Sequence, residues 1–280
     1  MKQKNNKLVA PVLKWVGGKR QLLKEIERHV PSHFSTYYEP FVGGGALLFH
    51  LQPKKAIIND SNEELVNVYT VIKDFPDQLI HTLKKHKNEE AYFYKIRGLD
   101  REKAEYDRLN TIERAARVIF LNKTCYNGLF RVNSAGEFNT PFGRYKNPNI
   151  VNEITIRAVS NYLKSNDIKV LHGDYEKALS SARKGAFVYF DPPYDPVSNS
   201  VNFTGYTKAG FDREEQERLK GICDKLNQKG VKFLLSNSST EFIRRLYKNY
   251  NIYNIKAKRA INSKADGRGE IEEVLIKNYE

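Results

Sequence analysis

Ala186-Phe187-Val188-Tyr189-Phe190 is a near-continuous apolar run, and Asp191-Pro192-Pro193-Tyr194 follows it directly. Four residues thus offer a carboxylate, proline carbonyls and an aromatic ring. The set suits a particular task. An exocyclic amine on a nucleobase is a poor nucleophile, because its lone pair is delocalised into the ring. Two acceptors on the amine hydrogens favour the tetrahedral nitrogen that attacks an electrophile. Asp191 and the carbonyl of Pro192 can supply them. The prolines fix φ and carry no amide hydrogen, so the segment is rigid and rich in free acceptors. Tyr194 gives a base a flat face. The competing reading is a Pro-Pro turn without chemistry, since short motifs recur by chance.

A second group has the composition of a nucleotide site. Phe41-Val42-Gly43-Gly44-Gly45 lies between a strand signal and a helix signal. It is not the dinucleotide fingerprint, whose third glycine is placed differently. Phe41, Gly43 and Gly45 nonetheless make a turn that a ligand can approach closely. Asp60 ends the next strand, close to the roughly 20-residue spacing at which an acid accepts from ribose hydroxyls; it can equally be a helix-start residue. Asp174, followed by Tyr175, ends a further strand. It can accept from an adenine amine with Tyr175 against the ring, or serve only as a turn residue. The single tryptophan stands in Lys14-Trp15-Val16-Gly17-Gly18-Lys19 and reads as the wall of a ligand pocket.

The elements that must position these residues alternate. Tyr37–Pro40 and Lys55–Asn59 read as short strands, with a helix starting at Ala46–Leu51 between them. Ser61 and Glu64 have capping-box spacing ahead of a helical stripe of Leu65, Val68, Tyr69 and Ile72. Strand-helix alternation predicts a parallel sheet covered on both faces. Residues from about 74 to 122 read as helices, Thr111–Leu121 most clearly. Residues 123–149 turn to Asn, Gly, Arg, Phe and Pro, with a hairpin turn at Asn133-Ser134-Ala135-Gly136. This stretch reads as an insertion. The α/β pattern resumes with strands at Ile168–Leu171, Ala186–Phe190, Val231–Leu235, Ile252–Ile255 and Val274–Ile276. A helix capped by Asp212 covers Asp212–Leu226, and a polar, mobile segment is expected at Asn262–Gly269.

Composition narrows the class. The 280 residues contain 47 Lys and Arg against 33 Asp and Glu, a net charge of +14, which favours polyanionic partners. No run of about 18 apolar residues spans a membrane, and the basic Met1–Lys7 lacks the apolar stretch of a secretory signal. Cys125 and Cys223 are too few for a disulfide framework or a zinc site and fit a reducing cytosol.

In this order the blocks resemble the Dam-like DNA adenine methyltransferases that act at GATC, along nearly the whole chain. Lys14 to Lys19, Glu39 to Gly45, Asn59-Asp60 and Asp191 to Tyr194 match the main blocks of that family. Asn127-Gly128-Leu129, Arg131-Val132-Asn133 and Glu137 to Tyr145 add a long and distinctive one. The resemblance implies a Rossmann-like class I methyltransferase sheet, mostly parallel with a C-terminal antiparallel strand. Into it is set a mainly helical DNA-recognition domain with a hairpin. Residues 1–63 and 151–280 form the catalytic part and 64–150 the target-recognition insertion.

The implied cofactor is S-adenosyl-L-methionine, with no metal. Trp15, Lys19, Asp60 and Asp191 match its pocket, Asp60 on the ribose. Asp191, Pro192 and Tyr194 match the clamp for a flipped adenine, whose N6 attacks the sulfonium methyl in line. Lys14, Tyr126, Asn127, Arg131, Pro141 and Arg144 match positions that meet GATC in double-stranded DNA or its flanking phosphates. Arg131 is the candidate for reading a guanine through two hydrogen bonds, and Tyr126 for wedging where the adenine leaves. The same resemblance implies a cytoplasmic bacterial or phage enzyme acting on DNA as a monomer or weak dimer. A restriction endonuclease would be a genetic rather than a physical partner. Rival readings are methylation of the cytosine amine, for which a serine more commonly heads the clamp, an RNA substrate, and a fold that binds DNA without catalysis. Attack by a cysteine on the cytosine ring is rejected, because neither cysteine lies on a Pro-Cys loop.

Overall fold

A computed structural model describes residues 5–15, 17–197, 210–258 and 270–280. The segment Asn262–Gly269, expected to be mobile, lies outside the described residues. In chain order the elements are α1 (Leu23–His29), β1 (Tyr37–Glu39), α2 (Ala46–Leu51), β2 (Lys55–Asp60), α3 (Glu63–Asp74), α4 (Pro76–Leu83), α5 (Glu90–Gly98), α6 (Lys103–Tyr106), α7 (Thr111–Thr124) and α8 (Glu153–Ser165). They continue with β3 (Asp167–His172), α9 (Tyr175–Ala178), β4 (Phe187–Phe190), α10 (Arg213–Gln228), β5 (Lys232–Ser238), α11 (Glu241–Leu246), β6 (Asn251–Lys258) and β7 (Glu270–Lys277).

The strands form one sheet in the order β3-β2-β1-β4-β5-β7-β6. The first five pair in parallel, and β7 runs antiparallel to both β5 and β6. The expected architecture is therefore present, its reversed strand lying inside the sheet. Successive residues of the central strands serve opposite faces, as the pleat requires. Tyr37, Phe187, Tyr189, Leu234 and Leu275 enter one apolar cluster with α2, α3, α7 and α8. Tyr38, Val188, Phe190, Phe233, Leu235 and Val274 enter a second with α10 and α11. Strands buried on both faces must be apolar throughout, which is why β4 reads as an unbroken run.

The first cluster continues without a break into residues 64–150. Phe93, Ala116, Phe120 and Phe138 share it with Ile58 and Phe187. Helix α7 starts on a capping box in which Asn110 Oδ1 accepts from the Glu113 amide and Glu113 returns the bond to the Asn110 amide, each at 3.0 Å. Residues Ala115–Asn122 of this helix are all buried. Even Arg117 is buried, satisfied by Asp100 at 2.8 Å and by the carbonyls of Ile96 and Arg97.

Two local expectations are revised. Ser61 does not cap α3; Asn62 does, accepting from the Leu65 amide at 2.9 Å. Asp60 takes the Asn62 amide at 2.9 Å and so sets the helix start one residue later. The hairpin after Arg131 forms without strands, as a single Val132–Phe138 bridge closed by Asn133.

Gly45 sits at φ 69, in the left-handed region, and a Cβ there would lie 2.6 Å from the Tyr69 hydroxyl and 2.9 Å from Phe49. Both faults act together in Gly45→Ala, which is expected to lose roughly 2–4 kcal/mol by urea unfolding. An unchanged midpoint would show that the turn relaxes freely.

Candidate active site

The sheet reverses its winding between β1 and β4, and in such folds ligands bind in the crevice beyond the carboxyl ends of those strands. Glu39 ends β1, and Asp191 follows β4. Lys19 reaches the same point from the N-terminal segment. Its Nζ lies 2.8 Å from Asp191 Oδ1, donates to the Gly17 carbonyl at 2.8 Å and stands 4.6 Å above the Tyr194 ring. The Tyr194 hydroxyl donates to Glu273 Oε2 of β7 at 2.8 Å. Carboxylate, ammonium and aromatic ring thus form one connected group.

The electrostatics are those of a buried acidic site. Burial pushes the Asp191 carboxyl up; the Lys19 ammonium opposes the shift and the charge of Glu273 adds to it. Glu39, 2% exposed, is pushed up to about 8, chiefly by burial. The Tyr37 hydroxyl, donating at 2.9 Å, works against that shift, while Asp191 adds to it. Burial also raises Asp60, whose oxygens accept from the amides of Asn62 and Gly43 at 2.9 and 3.0 Å.

Trp15 packs over the glycine turn. A Cβ on Gly43 would meet its ring at 3.0 Å, and one on Gly44 its Cβ at 3.2 Å. The indole also stacks on Phe130 at 4.7 Å, so one side chain joins the glycine turn to the 125–145 segment. Phe41 and Tyr175 come together at 4.9 Å. The Tyr175 hydroxyl is engaged by Glu215 at 2.9 Å. Asp174 is spoken for as well. It caps α9 through the Glu176 amide and pairs with Arg218 at 2.9 Å; burial works upward on it, but these bonds outweigh that and hold its pKa low.

The residues matched to DNA contacts gather around one turn. The Tyr126 amide donates to Pro141 O at 2.8 Å, and the Asn127 amide to the Tyr145 hydroxyl at 3.0 Å. Asn127 has φ 57, and Tyr126 is 56% exposed. Lys14 lies against Gly128, where a Cβ would meet its Cδ at 2.9 Å. Asn122 fixes Lys14 by both polar atoms, at 2.9 and 2.8 Å, and bonds Gly128 O at 3.0 Å. Arg131 stands apart in the hairpin with its Nε on Asn139 at 2.7 Å, and Arg144 leans on Glu90 at 3.7 Å.

Sequence reasoning missed several residues of this site. Glu39 has no signal of its own within the block Glu39 to Gly45. Glu273 lies 79 positions from the tyrosine it holds. Asn122 and Gln216 were concealed within helical apolar faces, where a buried amide is the one available signal.

The sequence model of the D12 class N6 adenine-specific DNA methyltransferases matches residues 15–261. The chain belongs to that family. This DNA adenine methyltransferase is 47% identical to the type II methyltransferase M1.LlaDCHI of Lactococcus lactis subsp. cremoris, over 99% of its own length and 98% of the relative's. It is 44% identical to the type II methyltransferase M.MjaIII of Methanocaldococcus jannaschii, covering 97% and 99%. The DNA adenine methylase of Serratia marcescens is 35% identical, covering 94% and 96%. The adenine methyltransferase thus aligns with these proteins over nearly its entire length. No helix among its described residues is long and apolar enough to cross a membrane.

Proposed function

We propose that the enzyme transfers a methyl group from S-adenosyl-L-methionine to N6 of an adenine swung out of duplex DNA, within GATC. The observation that carries this reading is the connected Lys19–Asp191–Tyr194 group, with Lys19 buried and the other two half-buried, at the switch point of the sheet. Asp191, paired with Lys19 at 2.8 Å, and Glu273, held by the Tyr194 hydroxyl, set two carboxyls against one ammonium among the described residues, an imbalance that suits a cationic ligand. S-adenosyl-L-methionine supplies an activated methyl group on a sulfonium centre. Trp15, Phe41, Gly43, Gly45, Asp174 and Tyr175 line its pocket with Lys19, and Asp60 holds the ribose.

Asp191 and the Pro192 carbonyl hold the two amine hydrogens, and Tyr194 lies on the base. Asp191 acts as an orienting acceptor. The neutral amine is not acidic before attack, so early proton removal has no driving force; once alkylated the nitrogen is acidic, and its surplus proton passes by way of Asp191 to solvent. Positioning and fixed charge carry the catalysis. Residues 64–150 form the target-recognition part, flanked by catalytic segments 1–63 and 151–280. Tyr126 fills the duplex where the adenine leaves, while Lys14, Asn127, Pro141 and Arg144 hold the site and its phosphates. The enzyme works in the cytoplasm on double-stranded DNA, as a monomer or weak dimer, with a restriction endonuclease as its genetic partner.

Tritium transfer from labelled cofactor to a GATC duplex tests the whole reading. Label is expected on the unmodified duplex and not on N6-methylated GATC; binding without transfer overturns it. Arg131 gives a finer prediction. Asn139 engages its Nε, which leaves the terminal nitrogens as a two-pronged donor. Arg131→Ala is expected to lose about 1–3 kcal/mol of discrimination at one guanine, measured by kcat/KM on singly substituted duplexes. Unchanged discrimination at every position removes Arg131 from that role.

A further inference from the structure

Beyond the residues that would touch substrate, a closed set of buried amides ties the clamp to the sheet. Gln216 lies in the apolar stripe of α10, with Leu219, Ile222, Cys223 and Leu226, and is 1% exposed. Asn237 and Ser238 end β5 and are 0% and 2% exposed. No solvent and no surface charge explains polar groups at these positions. Their partners do. Asn237 Oδ1 accepts from the Asp195 amide at 3.1 Å and from its neighbour's amide, Ser238, at 2.8 Å. Asn237 Nδ2 donates to Gln216 Oε1 at 3.0 Å, and Gln216 Nε2 donates to the Pro193 carbonyl at 2.9 Å. The Ser238 hydroxyl closes the set on the Asp195 carbonyl at 2.6 Å.

The direction of every bond in this chain is forced. Backbone amides can only donate, so the atom of Asn237 that faces two of them must be its oxygen. Its nitrogen then faces Gln216, which must answer with oxygen. The Gln216 nitrogen is left to donate, and among the described residues the acceptor it meets is Pro193 O. The relay therefore carries the donor pattern of β5 to one chosen carbonyl of the clamp. It occupies Pro193 O and holds the residue after Tyr194 by both its amide and its carbonyl. Among the described residues nothing donates to Pro192 O.

We propose that Gln216 and Asn237 are positioning residues of the methyl-transfer clamp: they withdraw the Pro193 carbonyl from competition and leave that of Pro192 as the acceptor beside Asp191. The inference rests on the clamp reading given above and adds to it how one carbonyl of two is selected. Prolines alone cannot make that choice. They stiffen the segment, and Pro193 also restricts the ψ of Pro192, but nothing in them fixes the direction of the Pro193 carbonyl.

The test compares Gln216→Met, which keeps the length and removes both bonding groups, with Gln216→Glu, which keeps the acceptor for Asn237 and loses the donor to Pro193. A duplex carrying 2-aminopurine at the target position reports extrusion of the base, and single-turnover transfer reports the chemistry. Both variants are expected to extrude the base and bind DNA as the wild type does, yet to transfer methyl about 100-fold more slowly. The double variant Gln216→Met, Asn237→Leu is expected to be slower than Gln216→Met alone, because Asn237 also holds the Asp195 amide directly. A normal transfer rate in either folded Gln216 variant overturns the proposal. So does a loss of extrusion and DNA binding in step with the rate, which marks a purely structural network. If Gln216→Met does not fold, Gln216→Glu carries the same comparison. Failure of the clamp reading itself would show separately, as a wild-type enzyme that extrudes the base and transfers nothing.

Discussion

Asp191→Asn is expected to lower the single-turnover rate of methyl transfer by about 10³-fold while DNA affinity stays near that of the wild type. The substitution keeps the size of the side chain and exchanges one accepting oxygen for an NH2 group. That donor must then face either the Lys19 ammonium, which now lies 2.8 Å from the carboxylate, or the amine to be alkylated. Neither can accept it. Asp191→Ala removes the acceptor too, but it strands Lys19, itself 6% exposed, and breaking a buried ion pair costs roughly 3–5 kcal/mol. The two variants therefore separate chemistry from folding. The Asn form loses rate at a nearly normal melting temperature, and the Ala form loses both. A folded Asn variant within about tenfold of the wild-type rate, a barrier change of only about 1.4 kcal/mol, would remove Asp191 from the clamp.

Glu39→Gln is expected to flatten the dependence of stability on pH. Native Glu39 holds its proton to about pH 8, because burial opposes the charge; in the unfolded chain it ionises near 4.5. Below the lower value both states are protonated, and the group's stabilising contribution is fully present. Above it the unfolded chain ionises while the native one does not. Stability then falls by about 1.4 kcal/mol per pH unit until the native value is passed. The total between pH 4.5 and 8 is roughly 4 kcal/mol. Glutamine keeps an oxygen for the Leu48 amide and can turn its NH2 toward the Tyr37 oxygen. Urea unfolding at about pH 5 and about pH 9 checks this. The wild type should lose several kcal/mol more than the variant across that interval, and parallel losses in the two proteins would contradict it. Asp191→Asn should also weaken the dependence, since the charge of Asp191 helps to raise Glu39.

Much of the frame was legible because it follows from near neighbours in sequence. An unbroken apolar run ahead of a Pro-rich turn reads as a strand buried on both faces, and β4 is one. Asp212, followed by Glu214 and Glu215, announced α10, and its carboxylate accepts from the Glu215 amide at 3.0 Å. Even the mistaken cap at Ser61 erred by one residue, because the competing acceptor, Asp60, stood just ahead of it. What stayed hidden depends on distant pairing. Asp195 and Asn237 are 42 positions apart, and Tyr194 and Glu273 are 79 apart. No local spacing announces such partners. Nor does composition distinguish a glutamine that braces a carbonyl from one on a wet surface. The glycine turn was read as room for a ligand, but part of that room is taken by Trp15 and Tyr69.

The position of β7 has a further consequence, for the order in which the molecule is made. Synthesis delivers β6 before β7, yet in the sheet β7 stands between β5 and β6. Until β7 has left the ribosome, β5 ends in an open edge and β6 has no ladder to join. The two must dock together, and the same event brings Glu273 to the Tyr194 hydroxyl. Every residue of the turn around Tyr126 and Asn127 has by then long been translated. The Lys19–Asp191–Tyr194 group thus gains its last partner, Glu273, only when the strand pair docks.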